Sequence, residues 1–138
     1  MTHSIFIDGA VGTTGIEIQQ RLSPRPEFSL ILLDESQRKD ASARAQAIND
    51  ADVVILCLPD EAARESVSLI ANDRTKVIDA STAHRVADGW TYGFPELVGN
   101  EQVAASSQRE AQTRRRKPAA RRHPTTRYPG ATARTAYG

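Results

Sequence analysis

Gly9, Gly12 and Gly15, with Thr13 and Thr14 set between the last two, are the densest run of chemistry-bearing residues in the chain. They follow a short apolar segment, Ile5-Phe6-Ile7, and precede an amphipathic one. In the latter Ile16, Ile18 and Leu22 are apolar and Glu17, Gln19, Gln20 and Arg21 are polar. Strand, glycine loop, helix is the order of a phosphate-binding first βα unit. Glycines let the main chain turn sharply and let a ligand approach without meeting a Cβ. A helix starting at Thr13 or Thr14 would aim unpaired N–H groups and its positive dipole end at phosphates, with the threonine hydroxyls available to cap it or bind a phosphate oxygen. The spacing is G-x-x-G-x-x-G, not G-x-G-x-x-G, so a tight βα turn without a ligand is the competing reading.

Three further groups could serve such a site. Asp34 lies 25 residues after Gly9, near the interval of roughly 20 at which an acid bonds the ribose hydroxyls of NAD. Arg38 and Lys39 follow it and could instead clamp the extra phosphate of NADP, while a solvated loop would explain the same charges. Cys57, Leu58 and Pro59 close an apolar run, and their carbonyls fall where open α/β sheets bind ligands. Cys57 itself reads as a small buried hydrophobe, because no neighbouring cation in sequence would activate its thiol. Ser81 and Arg85 follow another apolar run, and the guanidinium offers a fork to a carboxylate or phosphate. A polar loop with a capping serine is the alternative there, and His84 has no partner visible in the sequence.

These groups need elements to position them. Ile5-Phe6-Ile7, Phe28–Leu33, Asp52–Leu58 and Lys76–Ala80 read as strands, and the apolar run FSLILL suits a strand buried on both faces. Helices are expected from Thr13 or Thr14 to Leu22, over the alanine-rich 41–49 and over 61–71. Trp90–Leu97 reads as an aromatic edge strand ending at Pro95. Strands and helices alternating at this rhythm predict an α/β fold, a doubly wound parallel sheet of Rossmann type with helices on both faces.

Composition sets the boundaries. With 138 residues the chain is one domain's worth. Residues 1–105 carry nine basic and sixteen acidic side chains, a net −7, whereas residues 106–138 carry nine basic and one acidic, a net +8. From Ala104 onward there is no Val, Ile, Leu, Phe, Met, Trp or Cys. A dinucleotide-binding domain over 1–103 and a basic, low-complexity tail over 104–138 follow, the tail expected to be disordered. One cysteine excludes an internal disulfide and a multi-cysteine metal site. No metal site is expected, and the absence of a long apolar run or a leader pattern points to the cytoplasm.

Four runs in order, IFIDGAVGTTG, ADVVILCLPDEAA, VIDASTAHRVADGW and YGFPEL, resemble the shorter type of N-acetyl-gamma-glutamyl-phosphate reductase of arginine biosynthesis. The resemblance covers about residues 3–103, and it extends more distantly to the aspartate-semialdehyde dehydrogenase group. It implies an NADP-dependent reaction in which an acyl phosphate is reduced to an aldehyde through a cysteine thioester. Carried over, it makes Gly9, Gly12, Thr13, Thr14 and Gly15 the cofactor phosphate loop and Cys57, Leu58 and Pro59 the strand end beside the cofactor. Ser81 and Arg85 become the loop bordering cofactor and substrate phosphate. The family nucleophile, in an Asn-Pro-Gly-Cys-Tyr-Pro-Thr run about twenty residues past YGFPEL, has no counterpart here, where the chain reads QTRRRKPAARRHP. Cys57 belongs to a different motif, so the expectation is a truncated cofactor-binding part without a catalytic residue.

The tail admits three readings: a frame-shifted product, a solvated disordered segment, or a nucleic-acid-binding arm through Arg114-Arg115-Arg116-Lys117 and Arg121-Arg122. The first ranks highest and the last lowest. The functional expectation is therefore the reductase's NADP-binding part. A non-catalytic nucleotide-binding module is the alternative, the small-molecule cofactor is the main partner, and a homo-oligomer is allowed because the fragment would expose apolar surface.

Overall fold

A computed structural model describes residues 1–93, Glu101 and residues 109–111. Strands β1 (His3–Asp8), β2 (Phe28–Ile31), β3 (Val53–Leu56), β4 (Lys76–Asp79), β5 (Thr91–Tyr92) and β6 (Arg109–Ala111) form one sheet in the order β2-β1-β3-β4-β6-β5. Every pairing is parallel. Helices α1 (Thr13–Leu22), α2 (Glu35–Lys39), α3 (Ala41–Asp50) and α4 (Asp60–Ser68) fill the connections. The order reverses between β1 and β3, and the crevice outside those two carboxyl ends is where such sheets take ligands.

Alternation along β1 builds the two layers. Ile5 and Ile7 join Ile55 on one face, covered by Ile18 and Leu22 of α1. Phe6 joins Val54, Leu56 and Val77 on the other, against Ala47 and Ile48 of α3 and Ala63 of α4. A fully buried Ile, Leu or Val contributes roughly 1.5–3 kcal/mol, so these two clusters set the orientation of all three helices. Ile16 departs from its expected apolar role and is exposed, while Gly15 is the buried residue of α1.

Two expectations are corrected. Phe28–Leu33 does not form a strand buried on both faces: β2 stops at Ile31 and lies at the sheet edge, its residues half-buried or exposed. Phe28 and Leu30 pack toward one core cluster and Ile31 and Leu33 toward the other, each only partly covered. Arg109–Ala111, inside the tail expected to be disordered, instead pairs with β4 and β5. Main-chain donors and acceptors along the edge of β4 accept any extended partner, so the pairing does not require large aliphatic side chains. The edge strand expected in Trp90–Leu97 is β5, shorter than foreseen; Pro95 and the remaining basic segment lie outside the described residues.

Candidate nucleotide site at the strand ends

The turn after β1 is fixed by close backbone approach. Gly9 adopts φ +89°, and a Cβ there would lie 2.4 Å from the carbonyl oxygen of Cys57. A Cβ on Gly15 would lie 2.3 Å from the Gly9 carbonyl oxygen. Both positions therefore exclude any side chain, one for the turn against β3 and one for seating α1. Gly12 differs: its nearest neighbour would be 3.5 Å from an added Cβ, an ordinary contact. Among the described residues nothing sterically requires glycine there.

Gly12 is also the N-cap of α1, and no side chain caps the helix. The expected threonine cap is thus absent. Thr13 and Thr14 are its first two residues, and their hydroxyls remain at the mouth of the positive helix end.

Three adjoining clefts run along the strand ends. One of about 150 Å³ lies between the Gly9–Val11 turn and the end of β2, reaching Leu32, Leu33 and Arg38. A second, about 380 Å³, shares Gly9, Val11 and Arg38 with it and adds Lys39, Arg44 and Leu58. A third, about 220 Å³, is lined by Thr14, Cys57, Leu58, Pro59 and Ala80. The glycine loop, the Arg38-Lys39 pair and the Cys57-Leu58-Pro59 strand end, separate in sequence, meet here. Cys57 is half-exposed, not buried, because β3 ends at Leu56 and the residue already belongs to the rim.

Asp34 and Arg38 are sorted by a helix cap. Asp34 Oδ1 accepts from the Gln37 N–H at 2.8 Å and the Ser36 hydroxyl at 2.7 Å, and Gln37 reaches back to the Asp34 N–H. This capping box engages the acid at the start of α2. The Gln37 N–H first, then the Ser36 hydroxyl, hold its carboxyl below the ordinary carboxylate value. The cations face the clefts and the acid faces its own helix.

The loop after β4 is built by side chains. Asp79, fully buried, accepts from the Ser81 N–H and hydroxyl, each at 2.8 Å, and lies 2.6 Å from His84 Nδ1. With two donors already on this carboxylate, we assign the third donor role to His84 Nδ1–H. The imidazole stacks on Trp90, centroids 4.1 Å apart. Ser81 Oγ also accepts from the Ala83 N–H, so the hydroxyl proposed for the cofactor is engaged inside its own loop. Thr82 ties the loop to α4, its N–H and hydroxyl donating to the two oxygens of Asp60 at 3.0 and 2.6 Å. The hydroxyl above all, then the N–H, holds the Asp60 carboxyl below its usual value. Among the described residues Arg85 Nε is buried with no hydrogen-bond partner. An orphaned charged donor of this kind is costly to leave unmet and suits an anionic ligand.

Sequence reasoning missed Asp8, Arg44 and Ser66. Asp8 ends β1 and is buried; Arg44 Nη2 donates to its Oδ2 at 3.0 Å, and Ser66 donates to the same oxygen at 2.6 Å. The only sequence signal was an acid at an inward-facing position of a strand. Among the described residues no cluster of His, Cys, Asp or Glu could hold a metal ion, and no helix is long and apolar enough to cross a membrane.

A parallel sheet with a glycine turn at its switch point defines a dinucleotide-binding domain. The chain belongs to the semialdehyde dehydrogenase NAD-binding domain family, whose pattern matches residues 4–106. Within that family its relatives are N-acetyl-gamma-glutamyl-phosphate reductases. It is 56% identical over 109 residues to that of Chelativorans sp. (strain BNC1), covering 79% of this chain and 35% of the relative. It is 59% identical over 97 residues to that of Mesorhizobium japonicum, covering 70% of this chain and 32% of the relative. The chain thus spans about a third of the length of these relatives. Aspartate semialdehyde dehydrogenase from Francisella tularensis shares the fold at 15% identity and a TM-score of 0.60, over 81% of this chain and 36% of that one.

Proposed function

We propose that this chain is the NADP-binding part of an N-acetyl-gamma-glutamyl-phosphate reductase of arginine biosynthesis, the enzyme that yields N-acetyl-glutamate semialdehyde. The observation that carries the cofactor choice is the sorting at β2: Asp34 caps α2, whereas Arg38 and Lys39 line the clefts beside the glycine loop. A guanidinium and an ammonium there favour the 2′-phosphate, and an acid engaged by a helix cap is a poor ribose ligand. Gly9, Gly12, Thr13, Thr14 and Gly15 would hold the pyrophosphate, and Cys57, Leu58 and Pro59 would border the nicotinamide. Ser81 shapes the neighbouring loop and Arg85 offers its unmet donor to the substrate's phosphate. The bound cofactor supplies hydride.

The family chemistry also needs a thiol to hold the acyl group. The single cysteine of the sequence lies in the cofactor motif at the end of β3. The 138-residue chain by itself therefore binds cofactor without turnover, as a non-catalytic nucleotide-binding module would. Steady NADPH-dependent reduction of the acyl phosphate by the purified chain would overturn this. The basic segment 104–138 is read as a frame-shift product, for which translation of the gene's other frames should show an Asn-Pro-Gly-Cys-Tyr-Pro run. A cytoplasmic compartment and self-association belong to the same reading.

Fluorescence titration with NADPH and NADH tests the cofactor. NADPH should bind more tightly, and Arg38→Ala should weaken it about 10-fold, the loss of one charge-assisted contact, with little effect on NADH. Equal affinities in the native chain would overturn the NADP choice, and binding of neither would overturn the site.

A further inference from the structure

We propose that Arg44 and Ser66 are positioning residues for the cofactor: acting through Asp8, they hold the Gly9–Gly15 turn in its binding shape. The inference rests on the nucleotide-site reading above. Three elements converge on one carboxylate oxygen. Asp8 Oδ2, at the end of β1, takes Arg44 Nη2–H from α3 at 3.0 Å and Ser66 O–H from α4 at 2.6 Å. Arg44 Nη2 also donates to Ser66 Oγ at 2.7 Å, closing a ring of three contacts. Arg44 Nη1 lies 3.7 Å from Glu65, a weaker second hold on α4.

The position of this ring gives it a function beyond packing. Asp8 is bonded in sequence to Gly9, whose backbone fits between the Cys57 carbonyl and α1 with no room for a Cβ. A shift of a few tenths of an ångström at Asp8 is therefore passed directly to Gly9 and on to the first turn of α1. Asp8 and Arg44 themselves line the wall of the largest of the three clefts. Ser66 is fully buried and is not among the cleft residues, so its influence on a bound cofactor has to travel through Asp8. A closed, charge-assisted ring on a buried acid is rigid, and rigidity at a phosphate loop keeps the donor N–H groups aimed before the ligand arrives.

The test compares two buried hydroxyls. Ser66→Ala removes one bond of the ring and leaves the Arg44–Asp8 pair in place. Thr75→Val removes the hydroxyl that donates to the Ala51 carbonyl at 3.0 Å, just before β4 and at the opposite end of the sheet. Both variants are made in the full chain, and NADPH affinity and amide exchange at residues 9–15 are measured well below the unfolding transition. Ser66→Ala should weaken NADPH about 5-fold and speed exchange in the turn, while Thr75→Val, at a similar loss of melting temperature, should do neither. Arg44→Lys keeps the charge without the planar fork and should weaken NADPH in the same direction. Native-like affinity and exchange in Ser66→Ala, or equal changes in Thr75→Val, would overturn the inference while leaving the cofactor site standing. Failure of the native chain to bind any nicotinamide dinucleotide would remove both.

Discussion

The turn after β1 and the loop after β4 sit at the same carboxyl end of the sheet, with β3 between them, and are built in opposite ways. The first is made by leaving side chains out: Gly9 and Gly15 let backbone meet backbone at distances a Cβ forbids. The second is made by side chains that bond to one another around Asp79, with Trp90 closing over His84. A turn defined by steric exclusion tolerates almost no substitution at its contact points. A loop defined by a hydrogen-bond network depends on each partner and on protonation.

This contrast can be broken by substitution. Gly9→Ala should have the largest effect, a loss of about 3 kcal/mol or failure to fold, because overpacking and a left-handed backbone both oppose the methyl group. Urea denaturation measures it, and a loss below about 0.5 kcal/mol would mean that the turn relaxes freely. His84→Ala should cost about 2 kcal/mol, through the loss of one of the three donors on the buried Asp79 carboxylate and of a ring contact. In that variant the Ser81 amide should exchange faster while the Gly9 turn stays protected; equal loosening of both would show that the two regions are one unit.

Gly12→Ala sharpens the comparison from the other side. Its Cβ meets only an ordinary contact at 3.5 Å, so stability should change little, yet NADPH affinity should fall about 10-fold, or 1.4 kcal/mol. Retained affinity would show that no ligand approaches the backbone at Gly12.

The smallest expected effect is acid sensitivity confined to the second loop. The Thr82 hydroxyl and N–H hold the Asp60 carboxyl below its ordinary value of 3.8. A depressed carboxylate contributes stability above its unfolded pKa and loses it as the pH falls through the lower folded value. The Thr82–Asp60 tie should therefore hold at neutral pH and release only below about pH 4. The Thr82 amide resonance should follow this titration, and Asp60→Asn should abolish it. A midpoint at or above the ordinary value would contradict the tie.

The two regions were also unequally legible. Glycines in a strand–loop–helix context announce a backbone turn, and the apolar runs announced β1, β3 and β4 within a residue or two. Asp34 and Arg38 could not be separated in sequence, because the capping box that engages Asp34 depends on how Ser36 and Gln37 fold back. His84 had no visible partner since its carboxylate, Asp79, reads as one more residue of a strand. Ser66 reads as one more polar residue on a helix.

Local residue chemistry determined the alternation of strands and helices, the glycine turn, the acidic body and the basic end, because propensity, periodicity and charge act over a few residues. The tertiary structure decided which groups meet: Asp8 with Arg44 and Ser66 across 36 and 58 positions, Asp60 with Thr82, and Arg38 and Lys39 with the glycine loop. It also placed Arg109–Ala111 between β4 and β5. Those contacts depend on the geometry of strands laid side by side, and a linear pattern carries no record of which buried oxygen a distant donor will reach.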